Sequence, residues 1–190
     1  MSALVGVLAL QGDFEAHARV LESLGAKARL VRTVSDLEGL DGLIIPGGES
    51  TTMTLGIERE GLAQPLRDLI GAGTPTLGTC AGLIMLDRDH LDLLDMRAER
   101  NAFGRQVKSF ESEIDLDGLG QGFHGVFIRA PWVAEHGDGV EVLAQVDGHP
   151  VAVSAGNVLA VAFHPEIDGD TRLHEWLLER VQSNNERGPQ

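Results

Sequence analysis

The stretch PTLGTCAGLI, residues 75–84, decides the kind of fold this sequence describes. It begins as a short apolar strand, turns through Gly78-Thr79-Cys80-Ala81-Gly82, and continues into an apolar helical run. The form G-x-C-x-G between a strand and a helix is the cysteine counterpart of the nucleophile elbow, which is built on the sheets of α/β proteins. The stretch therefore predicts an α/β fold with a reactive side chain at residue 80.

The small residues of this elbow each have a geometric reason. A nucleophile on a tight strand-to-helix turn points out of the sheet, and Gly78, Ala81 and Gly82 let the backbone pass close by. The following helix would aim its first N–H groups and the positive end of its dipole at the sulfur, which favours a thiolate. A lone cysteine is often only a small buried hydrophobe. Here the elbow pattern favours a nucleophile at Cys80.

The segments on either side alternate between apolar strands and amphipathic helices, which predicts a parallel sheet. After residue 107 the pattern changes to short strands, which an antiparallel extension of the sheet would explain. We see no internal repeat or linker, so one domain over residues 1–190 is expected, with a loose polar tail at about 183–190. The predicted strands are 4–10, 27–31, 43–45, 75–77, 112–115, 125–128, 140–146, 151–154 and 158–162, and the predicted helices are 13–24, 62–70 and 171–182.

Composition narrows the classes of function. The chain has 190 residues, of which 43% are hydrophobic, enough for a well-packed core. Its 15 Lys and Arg against 29 Asp and Glu give a formal charge of −14, which repels phosphate backbones and disfavours nucleic acid as a partner. The charge would suit a basic protein partner, although most of it is expected to be solvated surface.

The number of cysteines and the lengths of the apolar runs indicate the cellular compartment of the protein. One cysteine cannot form an internal disulfide, which fits a reducing compartment. No apolar run approaches the roughly 18–20 residues needed to cross a bilayer, so no membrane partner is expected. The start, MSALVGVLALQGDF, lacks the features of a secretory signal. A cytoplasmic protein is expected.

A catalytic thiol needs a base, and His164 is the best candidate among seven histidines. It follows an apolar run and begins His164-Pro165-Glu166. Residues two apart in extended chain face the same side, so Glu166 can reach the imidazole, fix its tautomer and support its charged form. An H-x-E pattern is common by chance and becomes persuasive only beside the elbow. The other histidines are expected to be surface or packing residues: His17, His90, His124, His136, His149 and His174.

A third motif, PGGEST at residues 46–51, follows another predicted strand. Paired glycines let backbone amides approach a ligand, and strand ends are where open α/β sheets bind small molecules. The alternative is a plain turn that leads into a helix with its N-cap at Ser50 or Thr51. Both interpretations remain open on the sequence.

Together the three motifs resemble those of the class I, or triad, glutamine amidotransferases. Further segments are similar to the family of glutaminase subunits of pyridoxal 5′-phosphate synthases, and the resemblance runs from about residue 4 to residue 181. GTCAG and HPE are shared across the class, whereas other motifs point to this family. The segments that carry the resemblance are LQGDF (10–14), PGGEST, GTCAGLI, ERNAFGRQ (99–106), SFE (109–111), GVFIRAP (125–131) and AFHPE (162–166).

The resemblance implies roles for individual residues. Cys80 would be the nucleophile, His164 the general base and acid, and Glu166 its orienting partner. Gly48 and Ala81 would supply the N–H groups of an oxyanion hole. Free glutamine carries a carboxylate and an ammonium group, so an anionic protein needs a local arginine and glutamate to hold it. The residues implied for the glutamine site are Gly47, Gly48, Glu49, Arg100, Ile128 and Arg129.

The resemblance also implies a fold and a partner. The fold would be a three-layer, flavodoxin-like, mostly parallel sheet with an antiparallel extension. The substrate would be L-glutamine, and its ammonia would pass to a (β/α)₈-barrel synthase subunit in a large hetero-oligomer, with no metal or bound cofactor required. The segment at residues 86–95 is shorter than the family pattern and lacks its glycine, which bears on the placement of Arg100. Two alternatives remain: a class I glutaminase serving another synthase, and a non-catalytic protein with a redox-sensitive cysteine.

Overall fold

A seven-stranded sheet forms the centre of the computed structural model, which describes residues 2–103 and 109–187. Apolar side chains on both faces of its inner strands are fully buried, including Val7, Ile44, Leu77 and Leu159. The strands of this sheet are β1 (Leu4–Leu8), β2 (Lys27–Val31), β3 (Gly42–Ile45), β4 (Thr76–Thr79), β9 (Glu141–Val146), β10 (His149–Ala155) and β11 (Val158–Val161).

The order of strands is β2-β1-β3-β4-β11-β10-β9, and the first five run parallel. β10 pairs antiparallel with β11, and β9 pairs antiparallel with β10. This is the flavodoxin-like order with an antiparallel extension at one edge, as the sequence predicts. The carboxyl ends of β1, β3, β4 and β11 consequently meet at one edge of the sheet.

Helices cover the sheet to give three layers. They are α1 (Phe14–Ser23), α2 (Ser50–Arg59), α3 (Ala63–Gly71), α4 (Ala81–Met85) and α5 (Arg172–Arg187), with a short 3₁₀ turn at Val34–Leu37. α1 packs against β1 and β2, α5 packs against β3 and β4, and the two helices meet each other through buried side chains. α4 contacts β3, β4 and β11, and α2 packs on α4.

Two small antiparallel pairs lie outside the central sheet, which corrects part of the prediction. β6 (Ser109–Leu116) pairs with β7 (Gly120–Ile128), and β5 (Met96–Glu99) pairs with β8 (Trp132–His136). Among the described residues, only β9 and β10 extend the sheet antiparallel, because β11 pairs parallel with β4. β5 and β8 have no counterpart among the predicted strands, because each is short and mixes charged with apolar residues.

The closing helix α5 is longer than predicted and includes residues 183–187 of the expected loose tail. The helix continues because Asn184 makes contacts with residues distant in the sequence, which helical periodicity does not predict. Asn184 donates from Nδ2 to the carbonyl of Gly73 at 3.0 Å, and its Oδ1 accepts from Asn157 Nδ2 at 3.4 Å. Residues 188–190 lie outside the described part of the chain.

None of the helices in the described residues is long and apolar enough to cross a membrane.

We expect Asn184→Ala to destabilise the fold by about 1 kcal/mol, the usual net contribution of one hydrogen bond, which lowers Tm by roughly 2–4 °C. Asn185→Ala is the matched control, because Asn185 is exposed on the same helix and both changes gain the same helix propensity. Thermal unfolding followed by circular dichroism measures the difference. Equal Tm values for the two variants would show that the Gly73 contact does not hold the helix end.

Candidate active site

Cys80 occupies a strained position between β4 and α4. Its φ is 49° and its ψ is −105°, in the left-handed half of the map, where a residue with a side chain costs of order 1–3 kcal/mol. The Cys80 N–H donates to the carbonyl of Val161 at 2.8 Å, which ties the elbow to β11. A Cβ on Gly82 would overlap the carbonyl of Ile45, and one on Gly78 would lie 2.6 Å from Leu86. The elbow therefore needs its small residues, as the sequence indicates.

His164 and Glu166 follow β11, on the strand beside the one that leads to Cys80. The Nδ1 atom of His164 is 2.7 Å from Oε1 of Glu166, and both side chains are buried. The backbone N–H of His164 donates to the carbonyl of Val126 on β7 at 3.0 Å, which fixes the segment against the hairpin. The i, i+2 spacing thus brings carboxylate and imidazole together as the sequence predicts.

Gly47 lies directly behind the imidazole and the thiol. A Cβ at this position would overlap the ring of His164 and would lie 3.3 Å from Cβ of Cys80. Only a glycine allows the loop after β3, the imidazole and the elbow to approach this closely. Gly47 is buried and does not line the cavity in front of the thiol.

The protonated form of His164 is stabilised by its neighbours. Burial lowers the pKa of His164, but hydrogen bonds to Cys80 and Glu166 and the negative charges of those groups outweigh burial and raise the pKa to about 10. A protonated imidazole beside the sulfur of Cys80 is the arrangement that a cysteine nucleophile requires. Cys80 itself is only 6% exposed, so access to it is from the cavity.

The loop PGGEST is at once a glycine turn and the start of α2. Glu49 is the N-cap, one residue earlier than the predicted alternatives Ser50 and Thr51, and its carboxylate accepts from the N–H groups of Thr51 and Thr52. These bonds, with one from the Thr52 hydroxyl, lower the pKa of Glu49 to about 2. The Glu49 carboxylate is therefore ionised and held in place.

Gln11, which follows β1, reaches into the same loop. Its Oε1 accepts from the backbone N–H of Glu49 at 2.6 Å. The adjoining glycines make room for it: Gly48 has a φ of 146° and a Cβ there would overlap Gln11 Oε1, while a Cβ on Gly12 would overlap the carbonyl of Gly47. The side chain of Gln11, which follows β1, thus accepts a hydrogen bond from a backbone amide in the loop that follows β3.

A cavity of about 320 Å³ opens in front of the thiol at this edge of the sheet. Eight of the ten residues predicted for the triad, the oxyanion hole or the glutamine site line it, and the other two, Gly47 and Glu166, lie behind its wall. The lining residues are Gln11, Gly12, Asp13, Gly48, Glu49, Ser50, Cys80, Ala81, Ile84, Arg100, Asn101, Ile128, Arg129, Pro131 and His164.

Two arginines stand at the rim of this cavity. Arg100 donates from Nη1 to the hydroxyl of Thr51 at 2.9 Å and to that of Ser50 at 3.3 Å, so the start of α2 orients its guanidinium. Arg129 has a φ of 44°, and the carbonyl of Ile128 beside it lies 3.9 Å from Sγ of Cys80. Residues 104–106 of the ERNAFGRQ motif lie outside the described residues.

The short segment at residues 86–95 folds tightly around one carboxylate. Asp87 is buried and accepts from the N–H groups of Asp89 and Ala98 and from Nδ1 of His90. The Ala98 bond joins this segment to β5, which leads to Arg100. The segment thus leads through β5 to Arg100, which lines the cavity.

Sequence reasoning missed a group of buried polar side chains behind Glu166. His17 on α1 and His174 on α5 are fully buried, and they contact each other through Nδ1 and Nε2 at 2.9 Å. His17 Nε2 is also 3.2 Å from the hydroxyl of Thr79 on β4. The sequence did contain a sign that His17 is buried: it lies three residues after Phe14 and four before Leu21, on the apolar face of α1.

One group among the described residues has the spacing to hold a metal. Ligand atoms of Asp13, His164 and Glu166 lie within 4.8 Å of one another. His164 and Glu166 already hydrogen-bond to each other through Nδ1 and Oε1, so an ion would have to break that bond. The arrangement suits nucleophilic chemistry at Cys80 better than metal binding.

A flavodoxin-like sheet that presents a cysteine elbow, a histidine and a glutamate at one strand edge is the architecture of the class I glutamine amidotransferases. The model of the SNO glutamine amidotransferase family matches residues 7–183. The chain belongs to that family.

Individual relatives agree with this assignment. The chain is 50% identical over 185 residues to the pyridoxal 5′-phosphate synthase subunit PdxT of Geobacillus kaustophilus, covering 94% of each chain. It is 50% identical over 192 residues to the protein of the same name from Mycobacteroides abscessus, covering 96% of this chain and all of the relative. A crystal structure described as a glutamine amidotransferase is 48% identical, with a TM-score of 0.87 over 94% of this chain and 98% of that one.

We expect Cys80→Ala to lower the pKa of His164 below its wild-type value of about 10, because the hydrogen bond and negative charge of Cys80 are lost while burial remains. Glu166→Gln should lower it as well, for the corresponding reason. An NMR titration of the His164 ring between pH 5 and 11 measures both shifts. A wild-type ring that titrates near 6.5, or variants that leave its pKa unchanged, would contradict the paired arrangement.

Proposed function

We propose that this chain is a glutaminase that hydrolyses L-glutamine to glutamate and ammonia, as a single glutamine amidotransferase domain, and passes the ammonia on for synthesis of pyridoxal 5′-phosphate. The observation that carries the proposal is the meeting of Cys80 and His164 at one cavity, with Glu166 bonded to the imidazole from behind, although the thiol and the imidazole are 84 positions apart in the sequence. The names of the relatives support the pathway.

In the first half of the reaction, the Cys80 thiolate attacks the carbon of the glutamine side-chain amide. The carbonyl electrons move to oxygen, and backbone N–H groups of Gly48 and Ala81, which line the cavity, stabilise that oxyanion. The C–N bond then breaks as the His164 imidazolium gives its proton to the nitrogen. Ammonia leaves, and a glutamyl thioester remains on Cys80.

In the second half, water enters and gives a proton to the now neutral His164. The resulting hydroxide attacks the thioester, a second oxyanion forms in the same place, and the C–S bond breaks. Glutamic acid leaves and gives its new carboxyl proton to water to become glutamate, and the thiolate–imidazolium pair is restored. Glu166 keeps its bond to Nδ1 throughout, so that Nε2 of His164 faces the reacting atoms.

The charged ends of glutamine need partners at the rim. Arg100, already oriented by Thr51, is placed to hold the α-carboxylate, and Arg129 stands on the other side with Ile128. Glu49 supplies negative charge near the α-ammonium, although its carboxylate also caps α2. In this assignment Gly47 acts indirectly, by letting the loop approach the triad.

Ammonia released into neutral water becomes ammonium and loses its nucleophilicity, so a glutaminase of this kind benefits from a subunit that receives ammonia directly. We assign that role to a (β/α)₈-barrel synthase subunit in a large hetero-oligomer. Gln11 holds the N–H of Glu49 at the cavity, and a partner that moved Gln11 would change the oxyanion site. Activity is therefore expected to depend on the partner.

We expect Cys80→Ala and Cys80→Ser each to lower glutamate formation on the order of 10³-fold or more when the synthase subunit is present, because no other group can form the thioester. The assay follows glutamate release from glutamine. Copurification of each variant with the synthase subunit is the control for folding. Near-normal turnover in both variants would refute the nucleophile assignment.

We expect addition of the synthase subunit to raise glutamine hydrolysis by roughly 5- to 150-fold, the usual range of coupling between two sites. The same mixture should form pyridoxal 5′-phosphate from glutamine, a pentose phosphate and a triose phosphate. Cys80→Ala should abolish formation from glutamine but not from added ammonium. Equal hydrolysis with and without the subunit would count against this partner, and activation by a different acceptor subunit would indicate another class I glutaminase.

A further inference from the structure

The second oxygen of the Glu166 carboxylate faces the interior of the protein, away from the cavity. Oε1 of Glu166 is bonded to His164, while Oε2 lies 3.4 Å from Nε2 of His17 on helix α1. Within the described residues Oε2 has no aligned hydrogen-bond partner. A buried carboxylate oxygen without a donor is costly, so the nearest polar hydrogen strongly affects the orientation of the carboxylate.

The atoms around His17 determine which of its nitrogens carries the proton. His174 makes one contact in this group, from Nε2 to Nδ1 of His17, and its own Nδ1 has no partner within the described residues. A buried N–H without an acceptor costs more than a bare lone pair, so His174 carries its proton on Nε2 and donates it to His17. His17 Nδ1 is then an acceptor, and His17 carries its proton on Nε2, toward Thr79 and Glu166.

Both histidines are neutral near pH 7. Burial lowers the pKa of His17 well below its ordinary value, and the nearby His174 and His164 lower it further. Burial also lowers the pKa of His174 to about 4, although Asp170 opposes this. A neutral His17 offers an N–H dipole to Glu166 without a positive charge that would compete with His164 for the carboxylate.

We propose that His17 is a positioning residue of this active site, whose Nε2–H, set by His174 and bonded to Thr79, presents its dipole to the second carboxylate oxygen of Glu166 at 3.4 Å and so keeps the first oxygen on His164. The inference rests on the proposed glutaminase reaction. His17 touches neither the thiol nor the cavity. Its effect passes through Glu166, which orients the imidazole for both proton transfers.

Two substitutions at residue 17 separate this role from simple packing. The amide of His17→Gln reaches as far as Nε2 and keeps a donor near Glu166, whereas the amide of His17→Asn reaches only as far as Nδ1 and keeps the contact with His174. We expect His17→Asn to lower kcat by about 10- to 100-fold with KM for glutamine nearly unchanged, the effect of misplacing a catalytic group by about 1 Å. His17→Gln should recover kcat to within a few-fold of wild type.

Glutamate release in the presence of the synthase subunit measures kcat and KM, and thermal unfolding measures the stability of each variant. His136→Asn, on the exposed end of β8, is the control and should behave as wild type. Equal kcat in His17→Gln and His17→Asn, or losses that follow Tm alone, would overturn the proposal. Absence of glutaminase activity in the wild-type complex would instead contradict the proposed function.

A measurement on the wild-type chain covers the case in which neither variant folds. In ¹⁵N NMR of the histidine rings, His17 should carry hydrogen on Nε2 and none on Nδ1, and it should not titrate between pH 6 and 9. The groups that face it are Glu166, His164, His174 and the Thr79 hydroxyl. A hydrogen on Nδ1, or titration in that range, would overturn the assignment regardless of activity.

Discussion

The active site depends on how closely three backbone segments approach one another at the carboxyl edge of the sheet. The elbow at Cys80, the loop at Gly47 and the segment at His164 converge where a single added Cβ on Gly47 would overlap the imidazole. Parallel strands bring these segments to one edge, and glycine allows the final contact. The strain at Cys80 is tolerated because its N–H is bonded to β11 and its neighbours are small.

The buried histidines of this region are of two kinds, one protonated and the other neutral at pH 7. His164 sits between a thiol and a carboxylate, which together outweigh burial and keep the ring protonated. His17 and His174 are also buried but lie against each other, so burial dominates and both rings are neutral. One carboxylate, Glu166, lies between the two kinds, with one oxygen on each side. The same residue type thus serves opposite electrostatic roles a few ångströms apart.

Much of the fold could be predicted because its signals are local. β2 was predicted with the bounds that the structure shows, and the elbow with its strand and helix follows from GTCAG alone. The failures have non-local causes. β5 and β8 pair only with each other, and the end of α5 depends on Asn184 reaching Gly73, 111 residues away. Such contacts leave no periodic pattern in the sequence.

The sequence by itself determined the class of fold, the nucleophile elbow and the pairing of residues 164 and 166, since each is carried by spacing within a few residues. Only the tertiary structure decided that Gln11 holds the backbone amide of Glu49 and that His17 stands behind Glu166. Those arrangements join side chains from different strands and helices. Their distances depend on how the layers pack, which no local pattern specifies.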